Sequence, residues 1–295
     1  MKMLLFFLVS FIVISCTQNP NSSSLSKEKI NLLLDKEVAV YHLYSESVQR
    51  SLPWNNTFRI RPFITSLFNQ VIQNKLTLYN PIFEDTVFNT LEKDVWLNIL
   101  KNDKNLTFDT TQFNELFFFE YWYLDTTDGF NFEKKLISWA PVKRENKGLK
   151  LLGKIKCSPL TLENKKVLAT QLIYEFPLYD TLFLNERLNK KKLIKILLDW
   201  SLHHPEKTYN PFTAKSMSKK ELMQRISLND SSFYFPYNDI KSLLFIENWY
   251  YDTINFSIEK EISSIAPVLY SYDNDEISKH ILFVLHLKQK PLKLL

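Results

Sequence analysis

Residues Glu120–Val142 read E-Y-W-Y-L-D-T-T-D-G-F-N-F-E-K-K-L-I-S-W-A-P-V, and residues Glu247–Val268 read E-N-W-Y-Y-D-T-I-N-F-S-I-E-K-E-I-S-S-I-A-P-V. With one turn residue of the first copy left out, 12 of 22 aligned positions are identical, an internal repeat that any account of the fold must explain. The aromatic run Leu116–Leu124 predicts a strand, because β-branched and aromatic side chains suit a pleated, half-buried surface. Asp125-Thr126-Thr127-Asp128-Gly129 has turn chemistry: the aspartate can bond its own backbone two residues on, and glycine accepts a positive φ. The alternating stretch Phe132–Trp139 predicts a return strand, ended by Ala140-Pro141. Each copy therefore reads as a β-hairpin.

Working upstream, the repeat lengthens. Pro62 followed by Phe63, Ile64, Leu67, Phe68, Val71 and Ile72 places a wide apolar stripe on one helix face. A shift of 130 lays Leu193, Ile194, Leu197 and Leu198 on the first four of those positions, and Tyr209-Asn210-Pro211 on Tyr79-Asn80-Pro81. A second amphipathic helix is expected over Val87–Leu100, with Val87, Phe88, Leu91, Val95 and Trp96 buried. Its counterpart opens on the capping-box pattern Ser218-Lys219-Lys220-Glu221. Val167–Phe176 reads as one more strand of the first repeat and Ile281–Leu287 as the last strand of the second. The expected fold is α+β: two tandem repeats, over 30–180 and 181–295, each with amphipathic helices packed on a small antiparallel hairpin or meander sheet.

The amino terminus carries a different signal. Lys2, an apolar run from Leu4 to Ile14 and then Ser15-Cys16 form a leader too short to span a bilayer. Val13-Ile14-Ser15-Cys16 resembles a bacterial lipobox, which implies a signal peptide over 1–15 and covalent lipid on Cys16. Residues 16–29 then form a polar tether. No aspartate follows Cys16, so by analogy the anchor belongs in the outer membrane, with the body facing the periplasm.

Composition excludes several classes. The chain of 295 residues has 3 glycines, none in a phosphate-cradling arrangement, so P-loop and dinucleotide-binding functions are not expected. A net charge of +5, with Lys190-Lys191-Lys192 as the one dense basic run, reads as a solvated helix start and not as a nucleic-acid surface. His42, His203, His204, His280 and His286 form no metal-ligand pattern. His203-His204 instead suit the end of a helix.

The repeated acids are the candidate chemistry. Glu120 and Trp122 lie two apart on one strand face, as do Glu247 and Trp249, and a carboxyl beside an indole can have the raised pKa of a general acid. Lys134 and Lys260 on the return strands offer cross-strand or diagonal ion-pair partners, which makes the structural reading the stronger one. Asp125 and Asp252 are expected to cap the hairpin turns. No catalytic residue, metal or cofactor beyond the covalent lipid is assigned.

Glu247, Trp249, Tyr250, Tyr251, Asp252 and Ile265-Ala266-Pro267, with Glu120, Trp122, Tyr123, Asp125 and Ala140-Pro141 in the first copy, resemble the gliding-motility N family (GldN/PorN) of the type IX secretion apparatus of Bacteroidota. The resemblance covers about 58–142 and 193–268. It implies a non-enzymatic envelope subunit that associates with other secretion or gliding ring proteins, with the repeated Glu, Trp, Tyr and Asp as a structural or interaction motif. The chain departs from the family in being duplicated and in its expected lipid anchor, so it reads as a divergent relative. The alternative expectation is a ligand-binding lipoprotein with a cleft for peptide or glycan between the repeats.

Overall fold

In a computed structural model of the chain, the described residues are 31–32, 39–43, 60–81, 88–102, 105–108, 113–127, 129–145, 148–179, 189–227, 237–273 and 276–287. The expected leader, Cys16 and the tether lie outside them. Among the described residues no helix is long and apolar enough to cross a membrane.

The two repeated stretches are indeed hairpins, but much longer than the motif suggested. β5 (Phe113–Asp125) pairs β6 (Asn131–Glu145), and β11 (Ile240–Asp252) pairs β12 (Ile258–Asp273). Neither return strand stops at its Ala-Pro. The carbonyl of Pro141 accepts from the N–H of Leu152, and that of Pro267 from the N–H of Leu282. In a strand the N and O of one residue point to the same side. The donor that each proline lacks would therefore point away from the hairpin partner, and its ladder loses nothing.

Each hairpin is the centre of an antiparallel sheet. On the first, β1 (Asn31–Leu32) and β2 (Ala39–Leu43) flank β5, while β7 (Gly148–Leu151) and β8 (Ile155–Lys156) flank β6. On the second, β9 (Lys165–Pro177) flanks β11. Beyond β12 lie β13 (Glu276–Ile281) and β14 (Val284–His286), with β10 (Thr208–Tyr209) outermost. β3 (Lys101–Asn102) and β4 (Asn105–Phe108) form a separate ribbon.

The α+β expectation is overturned: the fold is mostly β. Four short helices occur among the described residues, α1 (Ile60–Ile72), α2 (Lys93–Leu100), α3 (Lys190–His203) and α4 (Lys219–Ser227). The helical stripes were real, with Phe63, Ile64, Leu67, Phe68 and Val71 of α1 and Leu193, Ile194, Leu197 and Leu198 of α3 all buried. They govern 13 and 14 residues, however, against strands of 13 to 16.

The helix expected over Val87–Leu100 begins only at Lys93. Before it, Leu91 N–H donates to Leu78 and Asn80 N–H to Asn89, so this segment is tied into an extended turn with Tyr79-Asn80-Pro81. Leu91 and Trp96 are buried as expected; Val95 is 45% exposed, and Val87 lies outside the described residues.

Register shows how far the duplication runs. Ser138 and Trp139 pair Lys156 and Ile155, as Ser264 and Ile265 pair His286 and Leu285. Tyr79 bridges Lys154 as Tyr209 bridges Val284. Tyr41 lies opposite Phe118 as Tyr174 lies opposite Phe245. The strand expected over Val167–Phe176 exists as β9, but it serves the second sheet and occupies there the place that β1 and β2 hold in the first. The sequence range 30–180 thus includes a strand of the second unit. The two sheets share one continuous apolar core.

Candidate functional site

Glu120 and Glu247 sit at the centre of that core, fully buried. Burying a carboxylate is costly unless it is paired and hydrogen-bonded, and the partners here are exchanged between the repeats. Lys134 of the first hairpin holds Glu247 of the second at 2.8 Å, and Lys260 of the second holds Glu120 of the first at 2.7 Å. Each indole N–H satisfies the other oxygen of its own hairpin's carboxylate: Trp122 Nε1 donates to Glu120 Oε2 at 2.9 Å and Trp249 Nε1 to Glu247 Oε2 at 2.7 Å. Tyr174 adds a bridge, accepting from Lys134 Nζ and donating to Glu247 Oε1.

The rings follow the same exchange. Phe118 meets Trp249 edge-on at 5.2 Å, and the equivalent Phe245 meets Trp122 at 5.6 Å. Lys260 Nζ lies 3.1 Å from the Phe118 ring centre and Lys134 Nζ 3.2 Å from that of Phe245, each ammonium over the negative face of the other repeat's aromatic. At the hairpin tips, Phe130 packs on Trp200 of α3 and Phe256 on Phe63 of α1. Phe256 holds a positive φ of 57°, fixed by the Trp139 indole N–H on its carbonyl at 2.9 Å. The two hairpins thus clasp one another about a local two-fold axis.

Burial pushes the Lys260 ammonium down to about 8, outweighing Glu120 and Glu247, which support its charge. Lys134 is lowered for the same reason. Glu247 moves the other way relative to its burial: desolvation raises it, but Lys134 and Lys260 together hold it below the ordinary carboxylate range. For Glu247 this is the opposite of the raised carboxyl that a general acid requires.

The sequence placed Lys134 and Lys260 beside the acids, and they are, but not within one hairpin. Lys134 faces Trp122 and lies diagonal to Glu120, yet its ammonium crosses to the other copy. Asp125 and Asp252 take the turn positions, accepting from the N–H groups of Thr127 at 2.9 Å and Ile254 at 2.7 Å. Tyr123 and Tyr250 are half-buried on the opposite strand faces from Trp122 and Trp249. Ser218 Oγ accepts from Glu221 N–H, but Glu221 itself accepts from Asn210, so only half of the capping box forms. The rings of His203 and His204 bond the carbonyls of Asp199 and Trp200 at the end of α3. No cluster of metal-ligating side chains occurs among the described residues.

Beside the clasp lies a cleft of about 800 Å³ between β6 and β12. A cleft between the repeats was the alternative expectation, but no residue pattern pointed to these lining residues. Asn131 to Leu136 line one wall without a gap, and Ile258 to Ile262 the other. Among the described residues, Tyr123 and Phe132 are its aromatic lining residues; most of the repeat's other aromatic side chains lie in the shared core. Asp125, Glu133, Glu259 and Glu261 line it with Lys135 and Lys165, and the Lys134 and Lys260 that also reach it are already neutralised by Glu247 and Glu120. Cys157 also lines the cleft, with its thiol pushed by burial up to about 12, which makes it a poor nucleophile.

No protein-family model matches the chain, and no match is found among curated proteins.

Proposed function

We propose that this protein is a non-catalytic, lipid-anchored component of the cell envelope that works by binding another protein, in the setting that its motif resemblance implies, a type IX secretion or gliding assembly. The observation that carries this reading is the exchanged quartet of Glu120, Lys260, Glu247 and Lys134. The most conspicuous titratable residues of the repeat are spent on holding the two sheets together. Duplicated antiparallel sheets are suited to contact, since main-chain groups at a sheet edge are ready to pair with another chain.

The lipid on Cys16 would keep this surface close to one membrane; several acyl chains give stable attachment where one does not. The test is purification of the full-length protein from native membranes, with partners identified by mass spectrometry and secretion measured in a deletion strain. Co-recovery of envelope ring proteins together with a secretion or gliding defect is the expected result. Recovery of the protein alone, with normal secretion, would overturn the reading.

A further inference from the structure

We propose that the arm formed by the end of β12 and by β13 pairs with the same arm of a second copy of this chain, β13 against β13 and antiparallel, about a two-fold axis at Ser278.

The carrying observation is an edge whose main-chain groups are free. β12 and β13 pair from Val268 and Ile281 out to Asp273 and Glu276. β11 begins at Ile240, opposite Leu269, so among the described residues the outer part of this hairpin is a two-stranded arm. In an antiparallel pair, residues opposite each other either exchange both hydrogen bonds or turn their main-chain groups away from each other. Tyr270, the partner of Lys279, sends its N–H to the Asp239 carbonyl on the far side. Lys279 must therefore turn its own groups outward, and by alternation so do Ile277 and Ile281. The Ile281 carbonyl is met there by Arg225 of α4 at 2.8 Å. Among the described residues, no hydrogen bond falls on the outward groups of Ile277 and Lys279, and no strand pairs that edge.

The arm has the marks of a contact and not of a guarded edge. Glu276 to His280 are all exposed. Tyr272 and Ile277 lie opposite each other on one face, 65% and 57% exposed, and neither joins the shared core. The first sheet has no equivalent: its β6–β7 ladder has four pairs, ending at Glu145 and Gly148, against six here. Edge strands are commonly protected by lysine, but Lys279 is drawn aside onto Glu175 at 2.7 Å.

The exposed residues complement themselves. With Ser278 opposite Ser278 of the second copy, Ile277 of each chain lies opposite Lys279 of the other, and all their free outward groups pair at once. The same register sets Glu276, which makes no ion pair among the described residues, against His280 of the second copy. His280 keeps Nδ1 for this contact, its Nε2 lying 3.0 Å from Ser271 Oγ. On the other face the two Ile277 side chains become diagonal neighbours, which joins the exposed Tyr272–Ile277 pairs into one apolar row. Moving the axis to Lys279 would set like charges opposite, and moving it to Ile277 would separate Glu276 from His280.

A contact of this size stands at the small end of protein interfaces, so a cross-link is its most direct readout. The experiment uses the full-length protein, in native membranes and again purified in detergent. Ser278→Cys places two thiols directly opposite, within the Cα separation that a disulfide spans, and mild oxidation should convert it to a covalent dimer. Glu276→Cys meets His280 of the other copy and should stay single, like the unaltered chain. Adding Ile277→Pro to Ser278→Cys removes an outward N–H without touching the ladder to β12, and should abolish the dimer while far-UV circular dichroism stays unchanged. Absence of the Ser278→Cys dimer, an equal dimer from Glu276→Cys, or a dimer that survives Ile277→Pro would overturn the proposal. If the proline variant does not fold, the contrast between the two cysteine variants decides. The pairing stands or falls independently of the envelope partners proposed above.

Discussion

Lys134 and Glu247 stand 113 positions apart and meet at 2.8 Å in the centre of the core, while their counterparts Lys260 and Glu120 make the same contact in the opposite sense. Each repeat thus supplies the counter-ion that the other one needs. A buried pair of this kind is weak evidence of net stabilisation, because desolvation consumes most of the Coulomb energy. Its bearing is on specificity, since a misaligned packing that kept these side chains dry would leave four buried charges unpaired.

Removing one partner should therefore cost more than removing both. Lys260→Met leaves Glu120 buried without its cation, and the expected loss is ~3–5 kcal/mol. Adding Glu120→Gln should recover a substantial part of it. Urea unfolding of the two single variants and the double variant gives the coupling directly. Equal and additive losses would contradict the exchanged pairing.

The acid limb of stability should depend on Glu247. Its carboxyl is held below the unfolded value of 4.5, so it contributes stability that is fully present above that pH and lost as pH falls through the lower folded value. Glu247→Gln should flatten the decline in unfolding free energy below about pH 4.5. An unchanged acid limb in that variant would refute the assignment.

The alkaline side has the opposite sign from an ordinary surface ion pair. Lys260 titrates near 8 when folded and near 10.5 when unfolded, so between those values the unfolded chain holds more protons. This group's contribution to the unfolding free energy must then rise with pH across that window. Unfolding midpoints measured from pH 7.5 to 10.5 should show the rise, and Lys260→Met should remove it.

The hairpin tip at Phe256 is held in a left-handed conformation that non-glycine residues rarely adopt. Trp139→Phe keeps the stack on Phe63 but loses the indole donor to the Phe256 carbonyl. The expected cost is ~1–2 kcal/mol, with faster amide exchange at residues 253–257, both measurable on the purified protein. Loss of stability without any change at the tip would place the role of Trp139 elsewhere.

Much of this arrangement was legible in the repeat itself. Asp125 and Asp252 announced turns, the Glu-x-Trp spacing put acid and indole on one face, and the helical stripes of Phe63–Val71 and Leu193–Leu198 buried the residues they named, whereas Val95 of the second stripe is exposed. Three features were not legible, each for a physical reason. Lys134 is a diagonal neighbour of Glu120 within its own hairpin, so the local rule for strand pairs is satisfied by the wrong partner, and only the packing of two sheets reveals the exchange. Pro141 and Pro267 looked like strand ends because a missing donor usually interrupts a ladder; here it faces outward. The strand Lys165–Pro177 precedes the second set of helices and follows the first sheet directly, and periodicity does not say which neighbour it joins. The fold class was misjudged for a related cause: helices advertise themselves by a stripe, whereas strands of 13 to 16 residues with bulges at Ile246/Glu247 and Phe119/Glu120 break the simple alternation that would have revealed their length.

The most direct test of the exchanged clasp is a pair of charge reversals measured by urea unfolding. Lys134→Glu combined with Glu247→Lys reverses the pair that bridges the repeats, and should retain most of the stability that Lys134→Glu alone destroys. Lys134→Glu combined with Glu120→Lys reverses the pair within one hairpin, which sets acid against acid and base against base across the junction, and should leave the protein unfolded. Rescue by the second combination and not by the first would contradict the account.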